Sequence, residues 1–73
     1  MKYSDKFLET LKGKASNKEV TPDSVLKDLG IDSLDLVELV LDAETEFGVT
    51  FSNEELTSFK TVKDVMDALD NKQ

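Results

Sequence analysis

Seventy-three residues, 38% of them hydrophobic, suffice for one small core, and the chain is expected to form a single domain over 1–73. Sixteen acids against nine basic residues, all lysine, leave a formal charge of −7, which argues against nucleic acid or an anionic membrane as partner. With no cysteine and no histidine there is no disulfide, thiolate nucleophile or zinc-thiolate site, and no apolar run approaches the ~20 residues that membrane insertion requires.

The first residues are charged and no apolar segment follows them, so no signal peptide is expected and the cytoplasm is the default location. Tyr3, Phe7, Leu8 and Leu11 recur at helical spacing and predict a first amphipathic helix that Gly13 frays. Residues 14–32 form a long connector. Within it, Thr21-Pro22-Asp23-Ser24 resembles a cap with proline at a first helical position, predicting one helical turn around Val25 and Leu26. A second helix is predicted over Ser33–Phe47, capped by Asp32 or Ser33 and stopped by Gly48. Ser52 opens a short third helix, and Thr61-Val62-Lys63-Asp64 forms a capping box for a fourth, whose apolar face is Val62, Val65, Met66 and Leu69. "GVTF" is too short to build a sheet. The expected fold is all-α: a small four-helix bundle, three main helices and one short one, with a long first loop. Nothing in the composition argues against a monomer.

The second helix carries most of the information. Leu36, Leu39, Val40, Ala43 and Phe47 make one apolar stripe at core spacing. Asp35, Glu38, Asp42 and Glu46 make an acidic row beside it, and Leu34, Val37 and Leu41 make a second apolar stripe. Burying a Leu or Val is worth roughly 1.5–3 kcal/mol, so three left wet are a substantial loss for a domain whose whole stability is about 4–11 kcal/mol. Two covers fit: the connector, through Val25, Leu26, Leu29 and Ile31, or a docking protein. They can also share the stripe, with Val37 under the loop and Leu34 and Leu41 facing a partner. The acidic row is either a solvated face or a docking surface. Its neighbours at i, i+3 and i, i+4 repel, and no lysine lies between residues 28 and 59 to relieve them, which tilts the balance toward a basic partner surface.

Ser33 stands at the start of this helix. As a cap it needs no further explanation. As a catalytic nucleophile it lacks a histidine, a Gly-x-Ser-x-Gly elbow and any evident base, so no catalytic residue is assigned and the chain is not expected to be an enzyme. As an attachment point for an anionic group it is well placed, because the orphan N–H groups and dipole of a helix N-terminus favour negative charge. Glu54, Glu55 and Asp42 would hold divalent cations only loosely; no EF-hand spacing is present, and no dedicated metal site is expected.

"DLGIDSLDLVELVLDAETEFGV", residues 28–49, resembles the acyl carrier protein signature, and the likeness spans nearly the whole chain, including the small helix at residues 53–58 and the last one opening "TVKDV". The resemblance implies that Ser33 carries 4′-phosphopantetheine, transferred from coenzyme A by a phosphopantetheinyl transferase. Asp32 and Leu34 would flank it, and the arm's thiol would hold acyl thioesters for fatty-acid synthesis enzymes. It implies that Asp35 and Glu38 meet basic patches on partner enzymes beside Leu34, Val37 and Leu41, and Asp42 and Glu46 extend the same acidic row as further partner contacts. It also implies an acyl pocket lined by Leu36, Leu39, Val40, Ala43, Phe47, Phe51, Leu56, Phe59, Val62 and Met66. The chain departs from the family pattern at Asp42 and Thr45, in the missing proline after Phe51, and in Phe51 and Phe59 where Ile is common, which narrows the pocket toward short or medium chains. Other readings are a carrier of a polyketide, peptide or aminoacyl pathway, or an unmodified acidic helical adaptor that binds basic partners.

Overall fold

The computed structural model describes residues 2–14 and 19–73. Helix α1 runs Tyr3–Lys14, α2 Ser33–Phe47, α3 Asn53–Ser58 and α4 Val62–Lys72, with a 3₁₀ turn at Leu26–Leu29. The described residues contain no strand, only an isolated antiparallel bridge between Val25 and Thr61. The expected all-α bundle is therefore the fold, and Asp32, Ser52 and Thr61 each open their helix with a reciprocal capping box.

Two local expectations are sharpened. Helix α1 is described through Gly13 to Lys14, one residue past the glycine expected to fray it. A helical glycine costs about 1 kcal/mol against alanine, and the burial of Phe7 and Leu11 on the preceding turns outweighs it. Of the long connector, residues 15–18 lie outside the described residues. Its later part holds the expected helical turn, over Leu26–Leu29, but Thr21 and Pro22 do not open it. Instead, the Ser24 N–H donates to the Thr21 carbonyl at 3.0 Å, Val25 is extended, and the turn begins at Leu26. The cause is tertiary: the Leu26 N–H donates to the Lys60 carbonyl (2.9 Å), and the Val62 and Lys63 N–H groups donate to the Ser24 and Pro22 carbonyls. The connector is thus stitched to the start of α4, and Gly30, at φ 80° where side chains are disfavoured, turns the chain toward α2.

The core gathers Phe7 and Leu11 from α1, Leu26 from the connector, Leu39 and Val40 from α2, Phe51 and Phe59 from the two links, and Val62, Val65 and Leu69 from α4. Val62, Val65 and Leu69 are completely buried; Met66, expected on the same face, is only half-buried. Tyr3 stacks on Phe47 with ring centroids 4.6 Å apart, and Phe51 meets Phe59 edge-on at 5.7 Å. The far end of α2 is closed by Gly48 at φ 67°, whose N–H donates to the Glu44 carbonyl.

Candidate functional site

The sequence leaves two residues competing to cap α2. Asp32 is the cap: its Oδ1 accepts the Asp35 N–H at 3.0 Å, and the Asp32 N–H donates back to Asp35 Oδ2 at 3.4 Å. Ser33 is consequently the first helical residue, exposed, and among the described residues no hydrogen bond engages its hydroxyl. The fold does not use that oxygen. A serine retained as a cap would show its oxygen on the amide of the next turn.

Two open grooves begin at Ser33 and share Ser33, Leu36 and Phe59 as lining. One, of about 520 Å³, runs between α2 and the connector and is walled by Val25, Leu26, Ile31, Lys27 and Lys60. The other, of about 370 Å³, runs toward α3 past Val37, Leu56 and Thr57. Of the residues implied as an acyl pocket, Leu36, Leu56 and Phe59 thus reach Ser33 along these grooves. Leu39, Val40, Ala43, Phe51 and Val62 are buried core instead, and Met66 is half-buried on α4. Phe47 lies fourteen residues along α2, about 20 Å away at 1.5 Å per residue, under the Tyr3 ring. The implied residues are therefore spread: Leu36, Leu56 and Phe59 line the grooves at the serine, Leu39, Val40, Ala43, Phe51 and Val62 are buried, and Phe47 and Met66 are half-buried farther off.

The second apolar stripe is uncovered. Leu34, Val37 and Leu41 are 78%, 43% and 54% exposed, so the expectation that the connector shelters Val37 does not hold. The connector's hydrophobes go elsewhere: Leu26 enters the core, Leu29 and Ile31 pack half-buried against it, and Val25 stays exposed beside the bridge. The acidic row is also rearranged by the fold. Lys14 and Lys6 of α1 reach Asp42 at 3.7 Å and Glu46 at 3.4 Å, relief that the sequence around α2 cannot supply. Such exposed pairs are worth at most about 1 kcal/mol each, yet they engage half the row. Asp35 serves in the cap, and Glu38 is exposed with no ion pair among the described residues. Leu34, Asp35, Val37, Glu38 and Leu41 therefore form one exposed acidic and apolar face next to Ser33.

Sequence reasoning missed three contributors. Glu44 is not in the acidic row; its Oε2 accepts the Phe51 N–H at 2.7 Å and fixes the link to α3. Lys27 and Lys60 were seen only as charges, and the connector and the link into α4 place them on the larger groove. The groove-side links are further held by carboxylates whose pKa values lie below the ordinary range. Asp64 is lowered chiefly by the Thr61 and Lys60 backbone N–H donors. Glu55 is lowered chiefly by the Ser52 N–H, with Lys72 at 3.1 Å assisting.

An exposed serine with an unengaged hydroxyl, at a helix N-terminus and flanked by grooves, fits a covalently held arm. A family model described as phosphopantetheine attachment site matches residues 6–69. The acyl carrier protein of Coprothermobacter proteolyticus is 49% identical over 55 residues, 74% of this chain and 67% of that protein. The acyl carrier protein homolog of Mycoplasmopsis pulmonis is 38% identical over 66 residues, 90% of each chain. The crystal structure of an acyl carrier protein from Thermotoga maritima matches with a TM-score of 0.79 and 33% identity, over 93% of this chain and 82% of that one. The chain belongs to the phosphopantetheine-attachment family of acyl carrier proteins.

Proposed function

We propose that the Ser33 Oγ is the atom to which 4′-phosphopantetheine is joined, and that this chain presents acyl thioesters on that arm to the enzymes of cytoplasmic fatty-acid synthesis. The observation carrying this reading is the division of labour at the start of α2, where Asp32 caps the helix and leaves the serine hydroxyl unengaged. In the transfer, an oxygen–phosphorus bond forms at Ser33 as the pyrophosphate bond of coenzyme A breaks, adenosine 3′,5′-bisphosphate leaves with the bridging oxygen, and the serine proton passes to the transferase. The absent histidine and cysteine suit a protein acted on by enzymes rather than one that catalyses, and the reactive sulfur is imported with the arm. No described helix is long and apolar enough to cross a membrane.

Leu34, Asp35, Val37, Glu38 and Leu41 form the face that meets basic patches on the transferase and on the acyl-processing enzymes, with Asp42 and Glu46 at its α1 side. Charge brings the partners together and the exposed leucines supply the desolvated contact. Cargo lies against Leu36 and Phe59, which line both grooves. The Phe51–Phe59 pair, backed by the filled core around Val40 and Val62, favours short or medium chains, and full protection of long acyl chains within the bundle would rule that preference out. Incubation with coenzyme A and a phosphopantetheinyl transferase tests the reading by intact mass. The native chain should gain one phosphopantetheinyl group and Ser33→Ala none; a native chain that stays unmodified would leave only an acidic helical adaptor.

A further inference from the structure

Two grooves leave Ser33, and their chemistry differs. Both have apolar floors built from Leu36 and Phe59, but only the larger is flanked by cations, Lys27 and Lys60. We propose that this groove, between the 3₁₀ turn and the link into α4, is the resting bed of the phosphodiester arm, with Lys27 and Lys60 as its positioning residues. The inference rests on Ser33 being the attachment point and adds where the attached chain lies between encounters with enzymes.

Charge complementarity carries it. A phosphodiester on Ser33 adds a negative charge beside Asp32 and Asp35, whose carboxylates already answer two of the amide donors at the start of α2. The helix terminus alone therefore offers a weakened welcome, and a nearby cation is needed to balance the group. Lys27 is the sole basic residue within 23–58, against ten acids. Lys6, Lys14 and Lys72 are spent on ion pairs, whereas among the described residues Lys27 forms none and Lys60 acts on Asp64 only beyond ion-pair distance, as the last of the causes that lower that carboxyl. A backbone hydrogen bond from the Leu26 N–H to the Lys60 carbonyl ties the segment beside Lys27 to Lys60, and both lysines line this one groove, with Asp32 also in its lining. Beyond them, Val25 and Ile31 offer apolar walls suited to the geminal methyl groups of a pantetheine chain. The smaller groove offers no cation and is walled by Val37, which belongs to the exposed partner face. An arm lying in the larger groove leaves that face clear, so a partner can dock before the arm is drawn out.

The test uses isotope-labelled protein bearing an unlabelled arm, with filtered proton NOEs read between the arm's methyl groups and the protein. The native holo-protein should show contacts to the methyls of Val25 and Ile31, and not to Leu56 or Thr57. In a Lys27→Gln/Lys60→Gln double variant those contacts should be lost, while amide shifts elsewhere match the native protein, since both lysines are exposed. Contacts to Leu56 or Thr57 in the native protein, contacts to neither groove, or Val25 and Ile31 contacts that survive in the double variant would each overturn the proposal. Loading is checked first by intact mass. A chain that takes no arm at all fails there, which refutes the function itself, whereas a loaded chain with the wrong contacts refutes only the resting bed.

Discussion

Two apolar stripes run along α2, and the fold treats them differently. Leu39, Val40 and Ala43 are 6%, 2% and 4% exposed, and Leu39 and Val40 belong to the core cluster. Leu34, Val37 and Leu41, on a neighbouring face with side chains of similar hydrophobicity, are left largely in water. Hydrophobicity alone does not decide burial: the connector that could have covered the second stripe is tied instead to the start of α4 through the Val25–Thr61 bridge. A small domain that leaves three large apolar groups wet retains them for something other than its own stability.

The sharpest way to break this contrast is truncation on each side. Leu39→Ala should cost about 2–5 kcal/mol in denaturant unfolding, as for other buried leucines. Leu34→Ala should stay within about 0.5 kcal/mol. Comparable losses from both would mean that the exposed stripe is structural after all. The reverse pattern is expected in binding to a partner enzyme. Leu41→Ala combined with Glu38→Lys should weaken association about tenfold or more, some 1.4 kcal/mol, with added salt reducing the affinity of the native protein. Affinity indifferent to both changes would contradict a charged, apolar docking face.

A finer contrast separates the two residues at the helix start. Asp32→Ala removes the cap and should cost about 1 kcal/mol. Ser33→Ala should change stability by less than about 0.5 kcal/mol while abolishing attachment. If Ser33→Ala proved the more destabilising, the hydroxyl would be structural. Smaller still is the acid limb. The folded pKa values of Glu55 and Asp64 lie below their unfolded ones, so their contribution is present above the ordinary carboxylate range and is lost as pH falls through the lowered values. Glu55→Gln with Asp64→Asn should therefore flatten the fall in melting temperature as the pH drops below the ordinary carboxylate range. An unchanged acid limb would show that other groups set it.

Much of this was legible in the residues. The limits of α2, the Gly48 stop, the capping boxes at Ser52 and Thr61 and the two stripes all follow from local chemistry: spacing, side-chain caps and glycine's tolerance of positive φ. What was not legible depends on contacts far apart in sequence. The pairing of Asp42 and Glu46 with α1 lysines joins residues roughly thirty to forty positions apart. The start of the 3₁₀ turn is set by Lys60, not by the Thr21-Pro22 signal. The implied acyl pocket joins residues of two kinds, some lining the grooves beside Ser33 and some buried in the core. Periodicity identifies apolar residues facing inward, but it cannot separate those beside Ser33 from those that simply fill the core.

The claim on which the rest depends is tested most directly in protein purified from its native cells, by mass spectrometry of the peptide that contains residue 33. The account predicts a phosphopantetheinyl group on Ser33, with part of the population bearing an acyl thioester at its far end. A fully unmodified Ser33 in cells with an active pantetheinylating enzyme, or the group found on any other serine, would contradict it.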